Sequence, residues 1–409
     1  MGRTHTDVLI SGGGMVGLTL GVALAKAGLE VTVVESQQGD ALVAPAFDGR
    51  ASALAYANVR MFRTLNIWEA LSTFAQPIND ILVSDAKLGG RPSGFSMHFD
   101  HREIGAPLGA MAENRHIRGA LWRAAAALPQ LNLVTGVVVA ALDRSKPQQA
   151  IARLSNGTEI SALLAVAAEG RDSTLRDDAG VATIAWDYPQ TAIVTTVEHE
   201  WPHGGVAYEH FLPAGPFAIL PLPGNRSSLV WTETKETAPR FIALPPDEFA
   251  AELRLRFGAH LGHVAPIGPR WTYPLRFHLA RTTIAERLAI VGDAAQGIHP
   301  IAGQGLNLGL KDVAALAQVV LDSARLGSDF GAVSVLQRYE RWRRFDRVTL
   351  ALGTDAINRL FSNDNLPLRT ARDLGLGAVD AIAPLRRFFM RHAGGDLGEL
   401  PRLLRGEAA

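Results

Sequence analysis

Glycines 12, 14 and 17 stand in the order Gly-x-Gly-x-x-Gly, behind the apolar run Asp7–Ser11 and ahead of an acid, Glu35. Those residue types at that spacing suit a phosphate ligand. Gly12 permits a tight turn, Gly14 lets a pyrophosphate approach the backbone, and Gly17 lets the following helix pack closely on the strand. The helix start adds unpaired N–H groups and the positive end of its dipole. Glu35 suits a ribose hydroxyl, and its charge would repel a 2′-phosphate, which favours FAD or NAD over NADP.

A second constellation lies far along the chain. Arg287–Val291 reads as a buried strand and ends in Gly292-Asp293-Ala294-Ala295; Pro300 and Gly303-Gln304-Gly305-Leu306-Asn307 follow. An aspartate at a strand end beside a helix N-terminus suits a polyol chain and an anionic ring edge. Reduced flavin, negative near N1 and O2, is such a ring.

The elements that must hold these residues are legible. Asp7–Ser11 reads as a buried parallel strand, a helical pattern runs to Ala27, and Gly28 stands where a C-cap is expected. Leu29–Val34 reads as the next strand, completing βαβ. After Asn307, Leu310, Val313, Ala314, Ala317, Val320 and Leu321 recur at helical spacing. Thr191–Val197 and Ser227–Trp231 read as strands of an antiparallel sheet, and the proline-broken run Phe211–Leu222 suits strands and turns.

Composition narrows the chemistry. The 409 residues carry 40 basic and 40 acidic side chains, so no global field favours nucleic acid. There is no cysteine. That excludes disulfides, thiolate metal sites, cysteine nucleophiles, the dithiol relay of disulfide reductases and cysteine-held iron–sulfur clusters. A reducing, cytoplasmic setting is compatible with this. No apolar run is long enough for a transmembrane segment. A signal-like start, a myristoylation-like Met1-Gly2 and the sequon Asn156-Gly157-Thr158 read as chance matches.

Together, Gly12–Gly17, Glu169-Gly170 and Gly292-Asp293 resemble the flavoprotein monooxygenases of the para-hydroxybenzoate hydroxylase fold. More narrowly, the chain resembles the ubiquinone-biosynthesis hydroxylases of that group. The matching stretches include Asp48-Gly49-Arg50, Val83-Ser84-Asp85, Glu113-Asn114, Trp186–Gln190, Gly215–Leu222 and, most specifically, Ile298–Asn307. The resemblance implies that Gly12, Gly14 and Gly17 hold the FAD pyrophosphate and Glu35 the adenosine ribose. It implies Arg50 at the flavin edge on the substrate side, Asn114 near the ribityl or phosphate region, and Gly170 in the same site. Asp293 would bind ribityl hydroxyls, Pro300 would sit near C4a, the backbone at Gly305, Leu306 and Asn307 would face N1 and O2, and Gly303 would belong to the same cofactor site. Arg50 and Pro300 are thus the expected catalytic residues. Tyr188, Tyr208, His210 and His299 read as structural residues, and none is named a catalytic base.

The implied activity is hydroxylation of an aromatic ring through a flavin C4a-hydroperoxide, with O2 as oxidant and NAD(P)H as a transient reductant. The implied substrate is a hydrophobic, polyprenylated phenol or quinol. A ubiquinone-biosynthesis protein assembly and peripheral contact with the inner membrane are possible partners. A same-fold flavin reductase or epoxidase on an isoprenoid stays open, as does a non-catalytic accessory subunit. Two positions depart from the family: Glu169 replaces the usual aspartate, and Gln296 the usual histidine.

The expected fold class is α/β: a discontinuous, Rossmann-like FAD-binding domain at 1–75, 101–182 and 271–325, and an antiparallel-sheet substrate domain at 76–100 and 183–270. A helical region follows at 326–409. In it, Arg386–Arg391 is expected to pack its aromatics and expose its arginines, a membrane-facing segment being the other reading.

Overall fold

Val8 and Ile10 point into one apolar cluster and Leu9 into another, so the first strand is buried on both faces. A strand with no solvent face belongs inside a parallel sheet covered on two sides, and that is its place in this computed structural model. Described are residues 4–39, 47, 49–86, 88–89, 96–362, 375, 377–396 and 398–409. Asp48 of the sequence motif, and Met1 and Gly2, lie outside them.

The first sheet comprises β1 (Thr4–Ser11), β2 (Val31–Glu35), β8 (Leu131–Thr135), β11 (Glu159–Ala167), β17 (Ile284–Ala285) and β18 (Leu288–Ile290). Their order is β17-β18-β11-β1-β2-β8, and β18, β11, β1, β2 and β8 pair in parallel. β9 (Val139–Asp143) and β10 (Ala150–Leu154) extend it antiparallel from β11. Helix α1 (Met15–Lys26) crosses from β1 to β2. Gly21 makes that crossing close, since a Cβ there would lie 3.1 Å from both Leu131 and Val33.

A small sheet of β3 (Ala51–Ala55), β7 (Gly109–Glu113) and β4 (Ala75–Ile78) flanks this layer. With it come α2 (Tyr56–Thr64), α3 (Trp68–Ser72) and α4 (Asn114–Ala126), while α5 (Thr174–Asp178) follows β11.

The second large sheet has the order β19-β16-β12-β15-β14-β13-β5-β6. It is built from β5 (Asp80–Asp85), β6 (Ser96–Asp100), β12 (Thr183–His199), β13 (Val206–Leu212), β14 (Gly215–Leu222), β15 (Arg226–Thr234), β16 (Val264–Ala280) and β19 (Gln296–Gly297). All its pairings are antiparallel except β5 with β13. Ile193, Trp231 and Phe217 share a cross-strand row, covered by α6 (Ala238–Ala243) and α7 (Pro246–Phe257). Period-two alternation sends the other residues to the opposite face, which packs on the small sheet and on helical residues such as Leu308 and Ala351.

α8 (Gln304–Arg325) buries Leu310, Val313, Ala314, Ala317, Val320 and Leu321, the stripe read from the sequence. The long α9 (Val333–Phe361) packs beside it, and α10 (Ala383–Ala393) and α11 (Arg402–Arg405) close the chain. One expectation fails in part: Arg387 and Arg391 are exposed as expected, but the aromatics are not packed away. Phe388 and Phe389 are exposed, while Arg386 is the part-buried residue, pairing with Glu103 at 2.8 Å. The helix turns Met390 inward and Phe388 outward, while Phe389 stands at the rim between them and lines a cavity described below.

Candidate functional site

The first glycine loop is fixed by sterics. Gly12 has φ +109°, and a Cβ there would lie 2.3 Å from the Ala168 carbonyl oxygen. A Cβ on Gly17 would lie 1.9 Å from the Gly12 carbonyl oxygen. Gly14 differs, because a Cβ there would meet nothing within 4 Å. Its openness serves something outside the chain. Gly13 carries a role the spacing did not reveal: its N–H donates to Glu35 Oε2 at 2.7 Å, and its own Cβ would lie 2.9 Å from Glu35 Cβ. Glu35 Oε1 accepts from the Gln37 N–H at 2.8 Å and Ser36 Oγ at 3.1 Å. A carboxylate has about four acceptor directions, so one stays available to a hydroxyl.

α1 begins on Gly14 with no side-chain cap and no acid in its first turn, and α8 begins on Gly303 in the same way. Each therefore presents first-turn N–H groups and a positive dipole end that the chain itself does not neutralise. The two starts are close together. A Cβ on Gly309 of α8 would lie 2.8 Å from Val16 of α1 and 3.0 Å from the Gly292 Cα.

Asp293 lies beside both. Its side chain is exposed in the cleft and accepts no hydrogen bond from a described residue, yet the surrounding protein desolvates it and raises its pKa. Arg171 opposes that shift. A carboxyl held without a partner at a helix N-terminus is fitted to hydroxyl donors. Gly305, the second residue of α8, is likewise open, with nothing within 4 Å of a Cβ.

Asn307 divides its labour. Its side chain is consumed by the scaffold: Oδ1 accepts from the Ala55 N–H and Asn58 Nδ2, each at 2.8 Å, and Nδ2 donates to Ala53 O at 2.9 Å and Gly303 O at 3.0 Å. This fastens the start of α8 to β3, just beyond Arg50. Asn114 N–H donates to Arg50 O at 2.9 Å, and Asn114 Oδ1 accepts from Ser52 Oγ at 2.7 Å. A Cβ on Gly49 would lie 3.2 Å from Trp271 Nε1, so the turn before Arg50 rests on the second sheet. Pro300 starts the 3-10 turn Ile301–Gly303, and its carbonyl accepts from Gly303 N–H at 3.0 Å.

Both departures are built into the scaffold. Glu169 accepts from Ser11 Oγ at 2.8 Å, Ser173 Oγ at 2.6 Å and Leu175 N–H at 3.0 Å, joining the end of β1 to the start of α5 beside Gly170. Gln296 is buried; its Nε2 donates to Asp312 at 2.6 Å and its Oε1 accepts from Arg347 Nε at 2.6 Å.

A cavity of about 250 Å3 opens between the second sheet and this loop. Ile81, Met97, Phe99 and Leu220 wall it on one side, and Ile301, Gln304 and Asn307 border it on the other. The wall is almost wholly apolar, yet it holds an acid the sequence reading missed. Glu209 on β13 lines the cavity, is buried, and has its carboxyl pushed up to about 8 by desolvation. An acid inside the apolar β13 pattern was the available signal. His299, fully buried with no partner for either ring nitrogen among the described residues, is pushed down to about 4 by burial and rests edge-on against Tyr188 at 5.2 Å. Tyr188 donates to Asp355 at 2.8 Å, and His210 lies 2.8 Å from Ser84 Oγ.

Two unsatisfied helix starts, an open Gly14 and an unpartnered Asp293 define a dinucleotide-binding flavoprotein cleft, and the donor set fits FAD. Residues 5–345 match the family model described as an FAD binding domain, so the chain belongs to that family. It is 49% identical to the ubiquinone hydroxylase UbiL of Rhodospirillum rubrum, over 98% of this chain and 92% of that one. It is 34% identical to the 3-demethoxyubiquinol 3-hydroxylase of Escherichia coli, over 96% and 99%. The p-nitrophenol 4-monooxygenase PnpA of Pseudomonas putida shares the fold, with a TM-score of 0.79 at 18% identity over 98% of this chain and 100% of that one.

Proposed function

We infer that the protein is an FAD-dependent monooxygenase that hydroxylates an aromatic ring, acting on a polyprenylated phenol or quinol in ubiquinone biosynthesis. The observation that carries this reading is the apolar cavity bordered by Ile301, Gln304 and Asn307. A flavin site opening onto such a cavity suits a greasy aromatic substrate better than a polar one. The likeness to ubiquinone hydroxylases along nearly the whole chain supports it.

In this reading Gly12, Gly14 and Gly17 leave room for the pyrophosphate, and Glu35 takes the adenosine ribose. Asp293 accepts from the ribityl hydroxyls, while Asn114 and Gly170 line the same groove. The backbone at Gly305, Leu306 and Asn307 opposes charge at the N1–O2 edge, with Gly303 shaping the turn before it, Pro300 on the neighbouring side and Arg50 toward the substrate. When bound, FAD supplies the activation of O2. The chain orients the ring and keeps water out of the cavity, and both tasks fall to residues already rigid in the scaffold. NAD(P)H would deliver electrons transiently, since the chain offers one dinucleotide fold. We assign residues 1–75, 101–182 and 271–325 to FAD binding, 76–100 and 183–270 to the substrate wall, and 326–409 to a helical cover.

No helix among the described residues is long and apolar enough to cross a membrane. Phe345, Val348, Leu352 and Leu360 of α9 and Phe388 of α10 are nonetheless exposed, near the cavity-lining Ile357, Phe361 and Phe389. This apolar surface suits peripheral contact with the inner membrane or with a biosynthetic assembly that presents the prenylated substrate. The accessory-subunit reading rested on Glu169 and Gln296, and both are fully used in holding the fold.

Labelled O2 tests the function. FAD-loaded protein, supplied with a prenylated phenol and NAD(P)H, should place one labelled oxygen atom on the ring. A product without label would refute the monooxygenase reading.

A further inference from the structure

The wall of the cavity is sorted by strand parity. Along β13, Ala207, Glu209 and Phe211 line the cavity in alternation and Tyr208 also borders it, while His210 belongs to the helix-covered face. Glu209 pairs in register with Val83 of β5 and Ala218 of β14, so its flanking neighbours are apolar. Among the described residues nothing donates to its carboxyl.

Of the other polar residues at the cavity, Tyr208 sets its ring 4.4 Å from that of His260, and the rest are engaged. Asn307 is saturated, and the Thr354 hydroxyl of α9 donates to the Leu350 carbonyl at 2.9 Å. Gln304 also has an interaction of its own. On the same face of β5, Asp85 sits opposite Phe211, one register step beyond Glu209, and it too is engaged. A buried polar group without a partner is costly and persists where a ligand satisfies it.

We propose that Glu209 is the substrate-contacting residue that takes the ring hydroxyl of the substrate and thereby selects hydroxylated rings and sets which ring edge meets the flavin loop. The proposal rests on the phenol or quinol reading above and adds the residue that recognises it. The hydroxyl, stripped of water in so apolar a cavity, needs one polar partner, and the carboxyl needs one in return. Raised by burial to about 8, Glu209 is a neutral acid at pH 7, able to donate and accept with one hydroxyl and without a charge left inside the wall.

The test is binding of a short-chain prenylphenol and its methyl ether to FAD-loaded protein, read from the flavin absorbance. Wild type should prefer the phenol by roughly tenfold to a hundredfold, the scale of losing one buried hydrogen bond. Glu209→Leu should abolish that preference while still binding the ether, and Glu209→Gln, of the same shape and still able to hydrogen-bond, should restore part of it. A merely structural role would weaken both ligands alike. Preference unchanged in Glu209→Leu would overturn the assignment of Glu209 alone. Failure of wild type to bind either compound would overturn the phenol reading and the proposal with it.

Discussion

Gln296 and Asp312 meet at 2.6 Å inside the protein, and through them the flavin-side loop is tied to two helices at once. Asp312 also accepts from the Gly292 N–H at 3.1 Å and from Arg343 Nε at 2.8 Å, while Arg347 holds the other end of Gln296. α8 supplies Asp312, α9 supplies the two arginines, and the loop supplies Gly292 next to Asp293. The Gln296 amide donates to Asp312 and accepts from Arg347 at once, so it bridges the carboxylate and the guanidinium.

Gln296→Leu keeps the volume and removes both bonds. It leaves a buried guanidinium N–H and a carboxylate oxygen short of partners, at a cost of about 1–3 kcal/mol each where uncompensated. A lower melting temperature together with weaker FAD retention is expected. Unchanged values of both would show that the network does not position the loop.

Asp293→Ala separates cofactor binding from folding. The carboxyl has no hydrogen-bond partner to lose among the described residues, so the apoprotein should melt at or slightly above the wild-type temperature. FAD affinity should fall roughly tenfold or more, the scale of lost charge-assisted hydrogen bonds. Titration of apoprotein with FAD, followed by fluorescence quenching, measures it; wild-type affinity would remove Asp293 from the site.

Gly14→Ala and Gly17→Ala make an opposed pair. Gly14 has ordinary extended angles, φ −70° and ψ −177°, and free space for a methyl group. Its variant should fold normally and bind FAD poorly. Gly17 has no space, 1.9 Å from a carbonyl oxygen, so its variant should be grossly destabilised or insoluble. Normal FAD binding by Gly14→Ala would show that no phosphate approaches there.

Glu209 sets a pH dependence on the apoprotein. Burial raises its folded pKa from the ordinary 4.5 to about 8, so between these values the folded state holds a proton that the unfolded state has released. Its contribution is therefore full below about pH 4.5, declines as pH rises, and is lost above about 8. Glu209→Gln should remove that decline, so its melting temperature should exceed wild type at pH 9 by more than at pH 5. Parallel curves for the two proteins would contradict the burial of this carboxyl.

How much of this was legible depended on how local the signal was. Gly12, Gly17 and the α8 stripe are short-range patterns, and each stands where its spacing put it. Gly13 escaped notice because its constraint comes from Glu35, on another strand. Asn307 was read for its backbone, and nothing local announced that its side chain would bind β3 and α2. Phe388 and Phe389 misled because an aromatic pair reads as core until the inward direction of Met390 is known. Glu209 was least accessible of all: a carboxyl in a strand means little until β5, β6, β14 and the Ile301 turn enclose it.

The parallel pairing of β5 with β13 has a consequence for how the protein comes into being. Residues 80–85 meet residues 206–212 edge to edge, so the strand bearing Glu209 finds its neighbour only after most of the first sheet's sequence has been made. β1, α1 and β2 are by contrast nearly contiguous. Because long loops must close before distant strands reward them, the nucleotide cradle can form early and the substrate wall late. A nascent chain would hold a recognisable βαβ unit well before it held a cavity.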